Sequence, residues 1–333
     1  MEPRIDTTLR IPALDGFELA ATLYQPGVGD DGPVVLINSA TAVRRGYYDG
    51  YARYLAAEGL TVLTYDYRGI GGSRPRSLAH FRARMRQWGE QDLAGVLDWI
   101  ADHLRPKRLL TIGHSVGGQI VGLAVNNQRI HALMLVAAQS GWWGHWPVPS
   151  RYRIGLTWLS IPLVTRIYGY LPGRFGTKED LPGGVAREWA RWGRRRNYLI
   201  ESEETRAGFA RVRRPLLAYS FTDDDYYAPR PAVEGLLDFY SEADVYHRHL
   251  APKDVGAEAI GHFGFFREKL KDTLWRDSAA WLLKQASPGS GPQLLQDLNL
   301  PRVVDVMECH ADDQIRHRRI AASGHPVQIV LGE

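Results

Sequence analysis

"TIGHSVGGQIVG", residues 111–122, sets one serine, Ser115, between Gly113 and Gly117. The run before it, Arg108 to Ile112, is apolar and strand-like. The run after it, Gln119 to Val125, reads as helix. Gly113-His114-Ser115-Val116-Gly117 therefore fits G-x-S-x-G at a strand-to-helix junction. A serine there sits on a strained turn, with its oxygen projecting from the carboxyl edge of a sheet. Glycines remove the Cβ atoms that would strike the neighbouring elements.

The surrounding sequence supplies that sheet. Thr7 to Pro26 holds two strand-like runs around Asp15-Gly16, a hairpin signal. "PVVLINS" (33–39), "LTVLTYDY" (60–67), "RLLTIG" (108–113) and "ALMLVAA" (132–138) are short continuous apolar runs. Helical spacing appears between them, at Tyr47–Gly59 and Gln91–Leu104. Apolar strands alternating with helices predict a parallel sheet covered on both faces. From Ser140 to about Arg213 the rhythm stops, and tryptophans and prolines take over. It resumes with "PLLAYS" (215–220), a helix over 231–240, "DVYHRHL" (244–250) and one long amphipathic helix over 265–285. The expected organisation is a first part of the core at 1–139, a helical Trp-rich insertion at 140–213 and a second part of the core at 214–286. A linker, "SPGSGP", and an extension then occupy 287–333.

A serine hydroxyl needs a base, and the base needs a carboxylate to fix its tautomer. After "PLLAYS" comes "FTDDDYYAP", which offers Asp223, Asp224 and Asp225. After "DVYHRHL" comes "IGHFGFF", which offers His262. The order Ser, Asp, His at successive strand ends matches a Ser-His-Asp triad. A tetrahedral oxyanion needs two N–H donors: the Val116 amide, next to the serine, and one from "NSATA" (38–42). There Ala40 is the expected donor, with Ser39 and Thr41 as its neighbours. Trp142, Trp143 and Trp146 directly follow a core strand and are the expected pocket walls. His114 is not assigned as the base. His247 and His249 share a strand face but lack an evident third metal ligand.

Composition narrows the class. The net charge is +4, and the basic clusters at 191–196 and 211–214 belong to no nucleic-acid module. The single cysteine, Cys309, excludes an intrachain disulfide framework and a thiolate zinc cluster. No apolar run approaches the roughly 18 residues of a spanning helix. These features predict a cytoplasmic protein acting on a small molecule, with no cofactor, metal, nucleic acid or membrane partner, and leave homo-oligomerisation open.

"DYRGIGGS" (66–73), "GHSVGGQ" (113–119), "DDDYYAP" (223–229) and "IGHFGFFR" (260–267) together resemble the α/β-hydrolase superfamily. Within it they are similar to uncharacterised bacterial hydrolases related to the serine-aminopeptidase-like branch. The resemblance covers about residues 5–286. "DYRGIGGS" is not a dinucleotide fingerprint, because G-x-G-x-x-G fails at Arg74. "NSATAV" departs from the His-Gly-x of many members. The resemblance implies a mostly parallel eight-stranded sheet with helices on both faces and a helical cap inserted after strand 6. Many members carry the triad acid four residues before a proline. Counting back from Pro229 selects Asp225, with Asp224 in reserve. The activity expected is hydrolysis of an ester or thioester with an apolar acyl group. Acyl transfer on the same triad and small-peptide aminopeptidase activity are the alternatives, and a non-catalytic binding protein stands behind them.

Overall fold

A computed structural model describes residues 4–26 and 32–287. The extension expected over 287–333 therefore lies outside the described residues, apart from Ser287. Eight strands form one sheet: β1 (Arg4–Pro12), β2 (Glu18–Gln25), β3 (Val34–Asn38), β4 (Thr61–Tyr65), β5 (Leu109–His114), β6 (Ala132–Val136), β9 (Pro215–Phe221) and β10 (Asp244–Leu250). Their spatial order is β1-β2-β4-β3-β5-β6-β9-β10. β2 pairs antiparallel with β1 and β4, and every other pairing is parallel. Strands β3 to β6 are buried along their whole length, which is why their apolar runs are continuous rather than alternating.

The order fixes where a site can form. From β3 the chain crosses through α1 (Asp49–Ala57) to β4 on one side. It later returns through α2 (Ala94–His103) to β5 on the other side. The carboxyl ends of β3 and β5 therefore face a crevice where the winding direction reverses, the usual position for ligands in an open α/β sheet. Asn38–Thr41 leaves one side of that crevice. Ser115 and α3 (Val116–Gln119) leave the other.

"DYRGIGGS" is structural. The Arg68 guanidinium donates to both Asp15 oxygens at 2.7 and 2.8 Å, and to Asp92 at 2.6 Å. It thereby ties the β1–β2 hairpin turn to the segment entering α2. Asp66, fully buried, accepts from the amides of Arg45 and Gly72 at 2.7 and 2.8 Å.

Between β6 and β9 the chain adds no strand to the main sheet. It forms α4 (Ser150–Tyr168), a two-residue pair β7 (Tyr170–Leu171) and β8 (Leu181–Pro182), α5 (Gly183–Gly193) and α6 (Glu203–Ala210). After β9 come α7 (Arg230–Leu237), β10, α8 (Gly261–Gly264) and α9 (Arg276–Ala286). The single long helix expected over 265–285 is instead interrupted. A 3-10 turn at Glu268–Leu270 and a π turn at Lys271–Trp275 precede α9. The break brings Phe265 and Phe266 into the core, where both are buried beneath Tyr48 and Tyr51.

Candidate active site

Ser115 adopts φ 54°, ψ −118°, a conformation that costs a non-glycine residue about 1–3 kcal/mol. The surrounding packing imposes it. A Cβ on Gly117 would stand 2.3 Å from the Asn38 carbonyl oxygen, and one on Gly113 would stand 2.6 Å from the Gly118 backbone. The Ser115 amide donates to the Val136 carbonyl at 3.0 Å, which pins the turn to β6. Val116 opens α3, so its N–H lies in the first turn, where no intrahelical acceptor is available.

His262, on α8, lines the same cavity as Ser115. The cavity has a volume of about 240 Å³ and is walled by Ala40, Thr41, Gln139, Trp189, Tyr227 and Phe263, with Gly176 to Lys178 closing one side. His262 Nδ1 lies 2.7 Å from Asp224 Oδ2, and both side chains are buried. A carboxylate only accepts, so Nδ1 carries the proton and Nε2 is left as an acceptor.

The expectation for Asp225 is corrected: the carboxylate on His262 belongs to Asp224. The turn after β9 directs successive aspartates differently. Asp223 Oδ2 accepts from the Ile260 amide at 2.8 Å and anchors the loop that carries His262. Asp224 is 3 % exposed and reaches the ring, while Asp225 lies on the exposed side.

The expectation for Ala40 is also corrected. Its N–H donates to the Tyr48 hydroxyl at 2.8 Å and is already engaged. That hydroxyl lies 2.8 Å from His114 Nδ1, and His114 Nε2 lies 2.9 Å from the His262 carbonyl. A carbonyl cannot donate, so neutral His114 must be protonated at Nε2 and must accept from Tyr48 at Nδ1. Burial, with His262 nearby, holds His114 well below the usual histidine range. A single buried chain, Ala40–Tyr48–His114–His262, thus joins the loop after β3 to the backbone of the histidine loop. Thr41, the next residue, lines the cavity, and its buried hydroxyl has no hydrogen-bond partner among the described residues.

Trp142, Trp143 and Trp146 do not line this cavity, another correction. Trp146 is buried and donates to the Tyr226 carbonyl at 3.0 Å. Trp143 packs on Gly155 of α4, and Trp142 stacks edge-on to His145 at 5.0 Å. They hold the insertion against the core. The tryptophan that does face the cavity is Trp189 on α5. It donates to the Tyr198 hydroxyl at 3.1 Å, which donates to Gln119 Oε1 at 2.9 Å, and Gln119 Nε2 in turn donates to the Gln139 carbonyl at 2.7 Å. A glutamine four residues after Ser115 therefore positions two cavity walls. Single-sequence reasoning missed Tyr48, Gln119 and Tyr198; only Gln119, a polar residue inside the apolar run 116–125, carried a signal.

His247 Nε2 and His249 Nδ1 both sit 2.7 Å from the Ser220 hydroxyl on β9. Among the described residues no group of three His, Cys, Asp or Glu could hold a metal ion, and no helix is long and apolar enough to cross a membrane.

Residues 32–155 match the family described as alpha/beta hydrolase fold. Uncharacterised proteins from two Mycobacterium tuberculosis strains are 33% identical over 112 residues, which is 33% of this chain. The match spans 38% of the length of those curated relatives. A soluble variant of monoglyceride lipase from Saccharomyces cerevisiae, in complex with a substrate analogue, superposes with a TM-score of 0.60 at 15% identity. That match covers 85% of this chain and 96% of the lipase. An esterase from Exiguobacterium antarcticum gives 0.52 at 15% identity, covering 83% and 100%. The fold expected from the sequence is the fold found.

Proposed function

We propose, from an alpha/beta hydrolase fold as premise, that the chain is a serine hydrolase cleaving a carboxylic ester or thioester with a small apolar acyl group. The observation that carries this reading is one cavity lined by Ser115 and by a His262 whose Nδ1 is held by buried Asp224. His262 Nε2 takes the Ser115 proton as Oγ attacks the acyl carbon, then returns it to the departing alcohol or thiol oxygen or sulfur. Water, deprotonated by the same nitrogen, attacks the acyl-enzyme and releases the acid. Asp224 keeps the imidazole in the required tautomer and stabilises the imidazolium.

The Val116 N–H is one oxyanion donor. With the Ala40 N–H engaged by Tyr48, the second donor is assigned to Thr41, a residue of the cavity wall whose buried hydroxyl has no partner among the described residues. The segment between β6 and β9 acts as a cap, since Trp189 and Gly176 to Lys178 close the site from that side. A cavity of about 240 Å³ lies below the roughly 300–1,000 Å³ usual for drug-sized ligands, which favours short acyl groups.

Release of p-nitrophenol from acetate and butyrate esters tests the reading. Ser115→Ala abolishes it, and Thr41→Val lowers kcat by on the order of 10². Turnover by Ser115→Ala at the parent rate refutes the reading.

A further inference from the structure

The longest helix of the described residues is apolar on two sides. On α4, Ile154, Trp158, Ile161 and Thr165 face inward and are buried. On the other side Tyr152, Leu156, Leu159, Leu163 and Ile167 recur at the same helical spacing, yet each is between 61% and 69% exposed. Val148, before the helix, and Phe175, after it, are also exposed, at 63% and 49%. Exposed apolar side chains on a monomer are usually scattered singly. A continuous stripe of this kind marks a surface that is covered in use.

The charges around the stripe say what covers it. Residues 103–178 contain no aspartate or glutamate. Arg151, Arg153 and Arg166 lie on α4, and Arg174 and Lys178 follow it. Arg174 stacks over the Tyr168 and Phe175 rings at 5.1 and 5.2 Å, so cation and apolar surface share one face. Gly169, immediately after α4, lines a cleft of about 890 Å³ whose wall carries His80, Arg82, Arg84, Arg86 and Arg187. Of these, Arg82, Arg84 and Arg187 are exposed and make no ion pair among the described residues. A second copy of the chain meeting this face about a two-fold axis would oppose the same arginines, while the nearby carboxylates Glu90, Glu179 and Asp180 are already paired with Arg86, Arg44 and Arg74. A surface of anionic lipid answers both features: acyl chains receive the stripe, and headgroup phosphates receive the guanidinium groups.

We propose that α4 is an interfacial helix that lies in the plane of an anionic lipid surface, with Tyr152, Leu156, Leu159, Leu163 and Ile167 toward the acyl chains. The proposal departs from the sequence expectation of no membrane partner and does not depend on the reaction assigned to Ser115. The helix lies on the surface and does not cross it.

Co-sedimentation with phosphatidylglycerol and phosphatidylcholine vesicles tests this. The full chain is expected to partition at least tenfold more strongly onto phosphatidylglycerol. The double variant Leu159→Glu/Leu163→Glu is expected to lose at least tenfold of that binding while keeping the parent melting temperature. Failure of the parent to bind either vesicle overturns the proposal. So does vesicle binding that survives the double substitution, because the arginines alone then account for it. A parent dimer that the double variant converts to a monomer, without vesicle binding by either, overturns it in favour of a second copy.

Discussion

Among the described residues, Ser220 and Ser115 both lie near histidines, and only one has the surroundings of a nucleophile. Ser220, on β9, is fully buried and holds both His247 and His249 at 2.7 Å. Its hydroxyl is already donor to one ring and acceptor from the other, inside a sheet with no room for an acyl group. Ser115 sits at a crevice between β3 and β5, on a turn with positive φ, and shares a cavity with a histidine tied to a buried carboxylate. Contact with imidazole is therefore not the signature of a nucleophile. Strain, access and a carboxylate behind the ring, found together, are.

After the loss of Ser115 itself, the largest effect expected within its constellation separates neighbouring aspartates. Asp224→Asn lowers kcat on p-nitrophenyl butyrate by about 10⁴, because the amide cannot hold the required tautomer. Asp225→Asn, at the exposed position, leaves it within about twofold of the parent, since surface changes away from such contacts are nearly neutral. The reverse ranking would return the acid to Asp225. A smaller effect concerns the chain that binds the two halves of the site. Tyr48→Phe strands the buried Ala40 N–H and His114 Nδ1, at a cost of about 1–3 kcal/mol in urea unfolding. A midpoint and slope equal to the parent's would show that the chain contributes no stability.

The smallest effect is a pH slope. Burial depresses the folded-state pKa of His114, so near pH 6.5 the unfolded chain takes up a proton that the folded chain refuses. The stability this histidine supports is present above that pH and is lost as pH falls below it. The rate of loss is up to about 1.4 kcal/mol per unit. Urea midpoints between pH 7.5 and 5.5 should fall accordingly, and His114→Asn should flatten part of the slope. A slope unchanged by that substitution removes His114 from the account.

The contrast also explains what was legible in the sequence. The elbow could be read, because packing two elements against one turn excludes Cβ atoms at Gly113 and Gly117 and so writes glycines into the chain. The sheet could be read, because strands buried on both faces are continuously apolar. Asp224 could not be chosen over Asp225, because three consecutive aspartates differ only in where the turn points each side chain. Ala40 was misassigned because its partner, the Tyr48 hydroxyl, is brought there by the first turn leading into α1. Trp189 was one cap tryptophan among several, and only the hydrogen bonds that tie it through Tyr198 to Gln119 mark it out as the ring at the cavity in preference to Trp142, Trp143 or Trp146.

The most direct measurement of the central claim is peptide mass mapping after treatment with a fluorophosphonate, which phosphonylates activated serines. The account predicts a single adduct, on the peptide containing Ser115, formed by the parent and by Asp225→Asn and strongly slowed in Asp224→Asn. An adduct on Ser220, or none on any serine of a folded chain, would contradict it.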